Sequence, residues 1–184
     1  MIIGIDPSIA NTGLCGIAPP YYDNDHDLEV MGRAGVAKMD HWAALQSVLS
    51  LAEAIERWTP FGRVRCAAIE APYASTGRGA AAGLPGERTH LFYLLLDYFD
   101  RLHVPTVVVP NAKLKRYATG KGNANKAAML EALVRRAPEF ETRGNDNLVD
   151  AAWLAMLASD MIGTPVVTVP ASHREALKGL EIHK

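Results

Sequence analysis

Residues 2–17 read IIGIDPSIANTGLCGI: two apolar runs, one ending on Asp6 and the other opening at Thr12, with Pro7–Asn11 between them. Ile2–Asp6 and Thr12–Ala18 have the length and composition of short strands. PSIAN is a tight turn, so the pattern predicts an antiparallel hairpin. The first strand ends on an acid. A carboxylate placed there must be solvated, paired or holding a metal, and the rest of the chain has to say which.

Working outward, the acidic loop Tyr21–Asp27 leads to a third strand expected over Leu28–Ala37. Trp42, Leu45, Val48, Leu49, Ala52, Ile55 and Trp58 recur at steps of three or four, which predicts a helix over His41–Trp58, stopped by Pro60 and Gly62. Val64–Glu70 is a nearly continuous apolar run suited to a central strand buried on both faces. It too ends on an acid. A Gly/Ala-rich loop, Ala74–Gly86, contains Arg78 and precedes a helix over Glu87–Leu102. A strand over Val104–Val109, a short basic helix over Asn111–Thr119 and the glycine-broken loop TGKGNAN follow. Asn125 can cap a helix over Lys126–Arg136, and Asn145 or Asp146 a last long helix reaching Ile162. One more short strand over Val166–Val169 and a loosely held tail over Pro170–Lys184 complete the reading. It is an α/β chain with one domain over 1–165 and a C-terminal strand and tail over 166–184.

At 184 residues, 49% of them apolar and 21% charged, the chain can bury a core of its own without disulfides. Cys15 and Cys66 sit in strand-like runs without a CxxC pattern, and are expected as buried, reduced thiols. The N-terminus lacks a basic region and no stretch approaches the ~18 apolar residues of a membrane span. The expectation is a cytoplasmic protein with no membrane partner and no small-molecule cofactor. The formal net charge of -1 conceals an uneven distribution. Met1–Pro60 holds eight acids and three cations, whereas Asn111–Lys126 holds five cations (Lys113, Lys115, Arg116, Lys121, Lys126) and no acid. An acid-free basic stretch of this kind neutralises phosphates. TGKGN also exposes backbone amides able to bind one.

Asp6 and Glu70 each close a strand, and Asp146 and Asp150 stand at the start of a helix, where either Asp146 or Asn147 can share a face with Asp150. If the first and fourth strands are neighbours, Asp6 and Glu70 meet at one sheet end. Asp150 lies amid Leu148, Val149, Ala151, Ala152 and Leu154, where an unpaired acid is costly. Hard oxygen ligands in such a cluster suit Mg²⁺ or Mn²⁺ rather than zinc. Two such ions can activate a water and stabilise the leaving oxygen of a phosphodiester.

These residues bear a resemblance to a known family. IIGIDPSIANTG resembles the first strand and turn of RuvC-type Holliday-junction resolvases of the RNase H-like superfamily, and AAIEAPY (67–73) resembles their second acidic motif. VPNAKLKRYATGKGNANK (109–126) resembles their basic segment and NDNLVDAAWLA (145–155) their final acidic helix. The match runs in order over roughly residues 1 to 160, in a style close to bacteriophage or prophage versions.

The resemblance implies a five-stranded mixed sheet, its first three strands antiparallel, flanked by helices. It also implies a homodimer, Mg²⁺ dependence with two ions per site, and paired nicking of four-way DNA junctions. Asp6, Glu70 and Asp150 would be metal ligands. The family places an acid or histidine three residues before the last acid, and here that position is Asn147, so either Asp146 supplies the missing carboxylate or Asn147 binds through its amide oxygen. Lys115 and Lys126 match the family's phosphate-contacting lysines, and Lys126, close to the acids in that pattern, would also steady charge in the transition state. Tyr73 falls where the family stacks an aromatic at the junction centre, and Arg78 and Arg88, in and just after the Gly/Ala-rich loop, are candidate phosphate contacts. The helix over Glu87–Leu102, with His90, Leu91, Tyr93, Leu94 and Leu95, is the expected dimer surface. Two other readings stay open: a nuclease of the same fold cutting flaps and other branches, and a junction-binding protein with impaired catalysis.

Overall fold

Strands β1 (Ile2–Asp6) and β2 (Thr12–Ile17) pair antiparallel, with Asp6 opposite Gly13, as the hairpin reading requires. The turn is locked by one hydroxyl: Thr12 Oγ1 donates to the Ser8 carbonyl at 2.6 Å and accepts from the Ser8 amide at 3.2 Å. The computed structural model describes residues 1–18, 26–33, 39–60, 62–72 and 85–184. The loop at 21–25, the far end of the expected third strand at 34–38, and the 73–84 segment with Tyr73 and Arg78 lie outside these.

Strand β3 is His26–Met31, β4 Cys66–Glu70, β5 Thr106–Val109 and β6 Ile182–His183. They form a mixed sheet in the order β3-β2-β1-β4-β5-β6. β1, β4 and β5 run parallel, while β2, β3 and β6 are antiparallel to their neighbours. The helices are α1 (His41–Trp58), α2 (Pro85–Arg101), α3 (Asn111–Thr119), α4 (Lys126–Arg136), α5 (Asp146–Met161) and α6 (Ala171–Arg174). Among the described residues no helix is long and apolar enough to cross a membrane.

Alternation along the strands divides the core into two layers. Ile3, Ile5, Leu14, Ala67 and Ile69 pack with α1 and α2. Ile2, Cys15, Cys66, Ala68 and Val107 pack on the other face with α3, α4 and α5. Both cysteines are free and buried. On α2, Leu91 and Leu95 are spent on this core, so of the expected dimer surface His90 and Tyr93 stay exposed and Leu94 is half-buried.

α5 is buried from Ala151 to Asp160 and is the centre of the molecule. It lies directly on the sheet because two strand positions lack a side chain. A Cβ on Gly4 would stand 2.0 Å from the Ala151 carbonyl oxygen and 2.5 Å from the Ala155 amide nitrogen. A Cβ on Gly13 would stand 2.0 Å from the Asn147 carbonyl oxygen. The cap is Asn145, whose side chain accepts from the amides of Asn147 (3.0 Å) and Leu148 (3.4 Å). Of the two capping candidates, Asn145 holds the role and Asp146 opens the first turn.

The C-terminal segment departs from expectation. Val166–Val169 forms no strand; a sixth strand comes later, at Ile182–His183, and makes the sheet six-stranded rather than five. Nor is the tail loose. α6 and a 3₁₀ turn at Glu175–Leu177 pack on α3, and Arg174 donates from both Nε and Nη2 to the Asp160 carboxylate, which also accepts from the Tyr117 hydroxyl at 3.2 Å. Polar composition hid this docking, because its anchor is an ion pair with a buried acid. Arg174→Ala would leave Asp160 buried with Tyr117 alone. We expect a measurable loss of stability, tempered by the exposure of Arg174. A lower urea midpoint and faster tryptic cleavage at Lys178 would report it.

Candidate active site

β1 and β4 are adjacent and parallel, so their carboxyl ends coincide. Asp6 shares a strand face with Ile2 and Gly4, and Glu70 with Cys66 and Ala68, so both acids project on the α5 side. They are only 6% and 5% exposed. Asp150, half-buried on the second turn of α5, completes a trio, each close enough to shift another's ionisation. The expected meeting of Asp6 and Glu70 at one sheet end is therefore present in the fold, with Asp150 near enough for its charge to be felt at Asp6.

Electrostatics mark the cluster as short of positive charge. Burial pushes the Asp6 carboxyl up to about 9, helped by a hydrogen bond with Glu70 and by the charges of Glu70 and Asp150, and opposed by Arg88. Burial likewise pushes Asp150 up to about 7, helped first by the Glu70 charge and opposed by Lys115 and Lys126.

Two groups grip the strand-end acids. Arg88, in the first turns of α2, donates from Nη2 to Glu70 Oε2 at 2.8 Å and to Asp6 Oδ1 at 3.3 Å. Asn111, the first residue of α3, donates from Nδ2 to Glu70 Oε1. Sequence reading placed Arg88 among phosphate contacts and missed Asn111. A usable signal was there: Asn111 follows the strand that runs parallel beside β4, so it had to emerge next to Glu70.

The remaining candidates divide. Lys126 is exposed and pairs with Asp146 at 2.7 Å, beside the cluster. That contact, together with the charge of Asp146, raises the Lys126 pKa. Lys115 is half-buried and its charge is felt at Asp150. Arg116 and Lys121 are exposed on the same segment. Lys113 points elsewhere, donating to the Lys178 carbonyl of the docked C-terminal segment. Asn147 is half-buried, its backbone carbonyl laid against Gly13, the cross-strand partner of Asp6. Tyr73 and Arg78 lie outside the described residues.

Among the described residues no three acidic, histidine or cysteine side chains form a ready-made metal cage. The donor chemistry nonetheless suits a hard cation: Asp6 and Glu70 are bridged by one guanidinium, Asp150 is the next acid, and no thiolate or imidazole stands among them.

The chain is similar to the Thermus thermophilus RuvC structure, with a TM-score of 0.59 at 18% identity, over 91% of this chain and 100% of that one. It is also similar to T. thermophilus RuvC in complex with Holliday junction substrate, with a TM-score of 0.55 at 18% identity, over 90% of this chain and 98% of that one. No protein-family model matches the chain, and no curated protein matches it. At this identity the likeness establishes the fold: the chain has a RuvC-like, RNase H-like α/β architecture.

Proposed function

We propose that the protein is a divalent-metal-dependent endonuclease acting on branched DNA, with four-way junctions as its principal substrate. The observation that supports this most is the burial of Asp6 and Glu70 at adjacent parallel strand ends, with the charge of Asp150 felt at Asp6 and an acid-free basic segment in the sequence. The similar structure of T. thermophilus RuvC in complex with Holliday junction substrate supports branched DNA as the partner.

Asp6, Glu70 and Asp150, with Asp146 or Asn147, would hold two Mg²⁺ ions, or Mn²⁺ in their place. Bound there, such ions would supply Lewis-acid chemistry to a water and to the leaving oxygen, the chemistry suited to a cut with a 5′ phosphate and a 3′ hydroxyl. The chain's own contribution is placement. The sheet fixes two carboxylates rigidly, Asn111 holds Glu70 in one orientation, and Gly4 and Gly13 let α5 bring Asp150 close. Lys126 presents a cation beside the acids, where it can offset charge on a phosphate. Lys115, Arg116 and Lys121 track the DNA backbone, and Tyr73 stacks on an unpaired base. Paired nicks across a junction call for two such sites, hence a homodimer, working in the cytoplasm where the DNA is.

A broader flap or fork nuclease uses the same groups. A junction-binding protein with weak cleavage is favoured by one observation, the amide at Asn147 in place of an acid. One assay separates them: a mobile four-way junction, a flap and a linear duplex, each with Mg²⁺ and with EDTA, and the cuts mapped. Paired nicks confined to the junction support resolution. Equal flap cutting supports the broader nuclease, and binding without cleavage in both Mg²⁺ and Mn²⁺ overturns the enzyme reading.

Lys115→Ala should weaken junction binding about equally across sequences and reduce the slope of log K against log salt by about 1. Fluorescence anisotropy at several salt concentrations measures both.

A further inference from the structure

Arg88 is placed where a nuclease of this kind needs a metal. One nitrogen, Nη2, lies 2.8 Å from Glu70 Oε2 and 3.3 Å from Asp6 Oδ1, bridging two carboxylates from neighbouring strands. The acid side chains are 6% and 9% exposed and that of Arg88 35%, so the guanidinium forms the solvent side of the pair. Its buried Nε has no hydrogen-bond partner among the described residues. The arginine is thus tied to the acids through one corner of its fork, whereas a structural arginine–carboxylate pair commonly uses two.

We infer that Arg88 is a built-in counter-ion that occupies the acidic pair in the metal-free protein and must withdraw before a divalent cation can bind there. This rests on the metal-dependent reading above. Mg²⁺ needs oxygen ligands at about 2.1 Å in near-octahedral array, and a guanidinium nitrogen already seated between the two carboxylates blocks that approach. The two cations also repel, so occupancy is exclusive. The contact then serves two ends: it balances the negative charge of the buried acid pair when no metal is present, and it sets a threshold concentration for metal entry. Released from the acids, the guanidinium stays at the rim of the site, where a phosphate is its natural next partner.

The test is Mn²⁺ binding by isothermal calorimetry, without DNA and without turnover, on wild type, Arg88→Gln and Arg88→Lys. Competition predicts that Arg88→Gln binds Mn²⁺ about tenfold tighter than wild type, melts lower in EDTA, and gains more in melting temperature from saturating Mn²⁺. Arg88→Lys, which keeps the charge, should stay near wild type. Unchanged or weaker Mn²⁺ binding by a folded Arg88→Gln overturns the counter-ion role and leaves the nuclease reading standing. No Mn²⁺ binding by any of the three proteins overturns both. Should Arg88→Gln fail to fold, arginine side-chain NMR on wild type decides. Rotation of the Arg88 guanidinium should be hindered in EDTA and freed by saturating Mg²⁺; hindered rotation that persists in Mg²⁺ sinks the proposal.

Discussion

Asp6→Asn will bind a four-way junction as wild type does and cleave it at least on the order of a thousandfold more slowly, the scale on which preorganised charge stabilisation acts. The side chain is nearly isosteric, is buried at the end of β1, and contacts Arg88 and Glu70 rather than the basic segment. The proposed DNA contacts, Lys115, Arg116, Lys121 and Lys126, are left in place by the substitution. Electrophoretic binding in Ca²⁺ beside cleavage rates in Mg²⁺ would show the split, and normal cleavage by the variant would refute the metal-site assignment. Stability gives an independent reading in EDTA. Asp6 is raised in the fold to about 9, mainly by burial, while an unfolded chain ionises it near 4. Between those values the folded state holds more protons than the unfolded one, so stability must fall as pH rises through that window. Asp150, raised to about 7, adds to the same trend at its lower end. Wild type should therefore lose melting temperature from pH 5 to 9 more steeply than Asp6→Asn, and Mg²⁺ should reduce the difference.

Gly4→Ala is expected to be strongly destabilising for a single added methyl. The added carbon would meet backbone atoms of α5 at 2.0 Å and 2.5 Å, and neither can rotate away. Overpacking typically costs 1–3 kcal/mol, and a double collision with main chain belongs at about 3 kcal/mol or above. The strain can be relieved only by lifting α5 off the sheet, which carries Asp150 away from Asp6 and Glu70. Cleavage should fall with stability, while binding through α3 and the following loop falls less. Chemical denaturation together with a cleavage assay at low temperature would distinguish this from simple unfolding. A variant as stable and active as wild type would show that α5 does not rest on β1 as described.

Much of this was legible beforehand because the informative signals are local. Strands ending on Asp6 and Glu70 follow from apolar runs that stop at an acid. The hairpin follows from the five-residue turn, and the caps from Asn125 and Asn145. Less legible was whatever depends on which elements meet. Asn111 reads as an ordinary helix start until β5 is set beside β4. Arg88 reads as a loop-edge cation until α2 is docked with its first turns over the strand ends. The C-terminal segment reads as a tail because Asp160, its anchor, sits within an otherwise apolar helix and its partner lies in a polar stretch. Gly4 and Gly13 looked like unremarkable strand residues, and only the packed helix explains them.

The three acids come from the first strand, the fourth strand and the last long helix, far apart along the chain. No short contiguous fragment contains the cluster, and the contacts that build it are of high sequence separation, the kind that form late because loop closure must be met first. A chain caught part-way through folding, or one whose central helix has come loose, therefore holds at most two of the carboxylates near each other. The proposed cleavage would in this sense be a property of the finished fold, absent from misfolded copies.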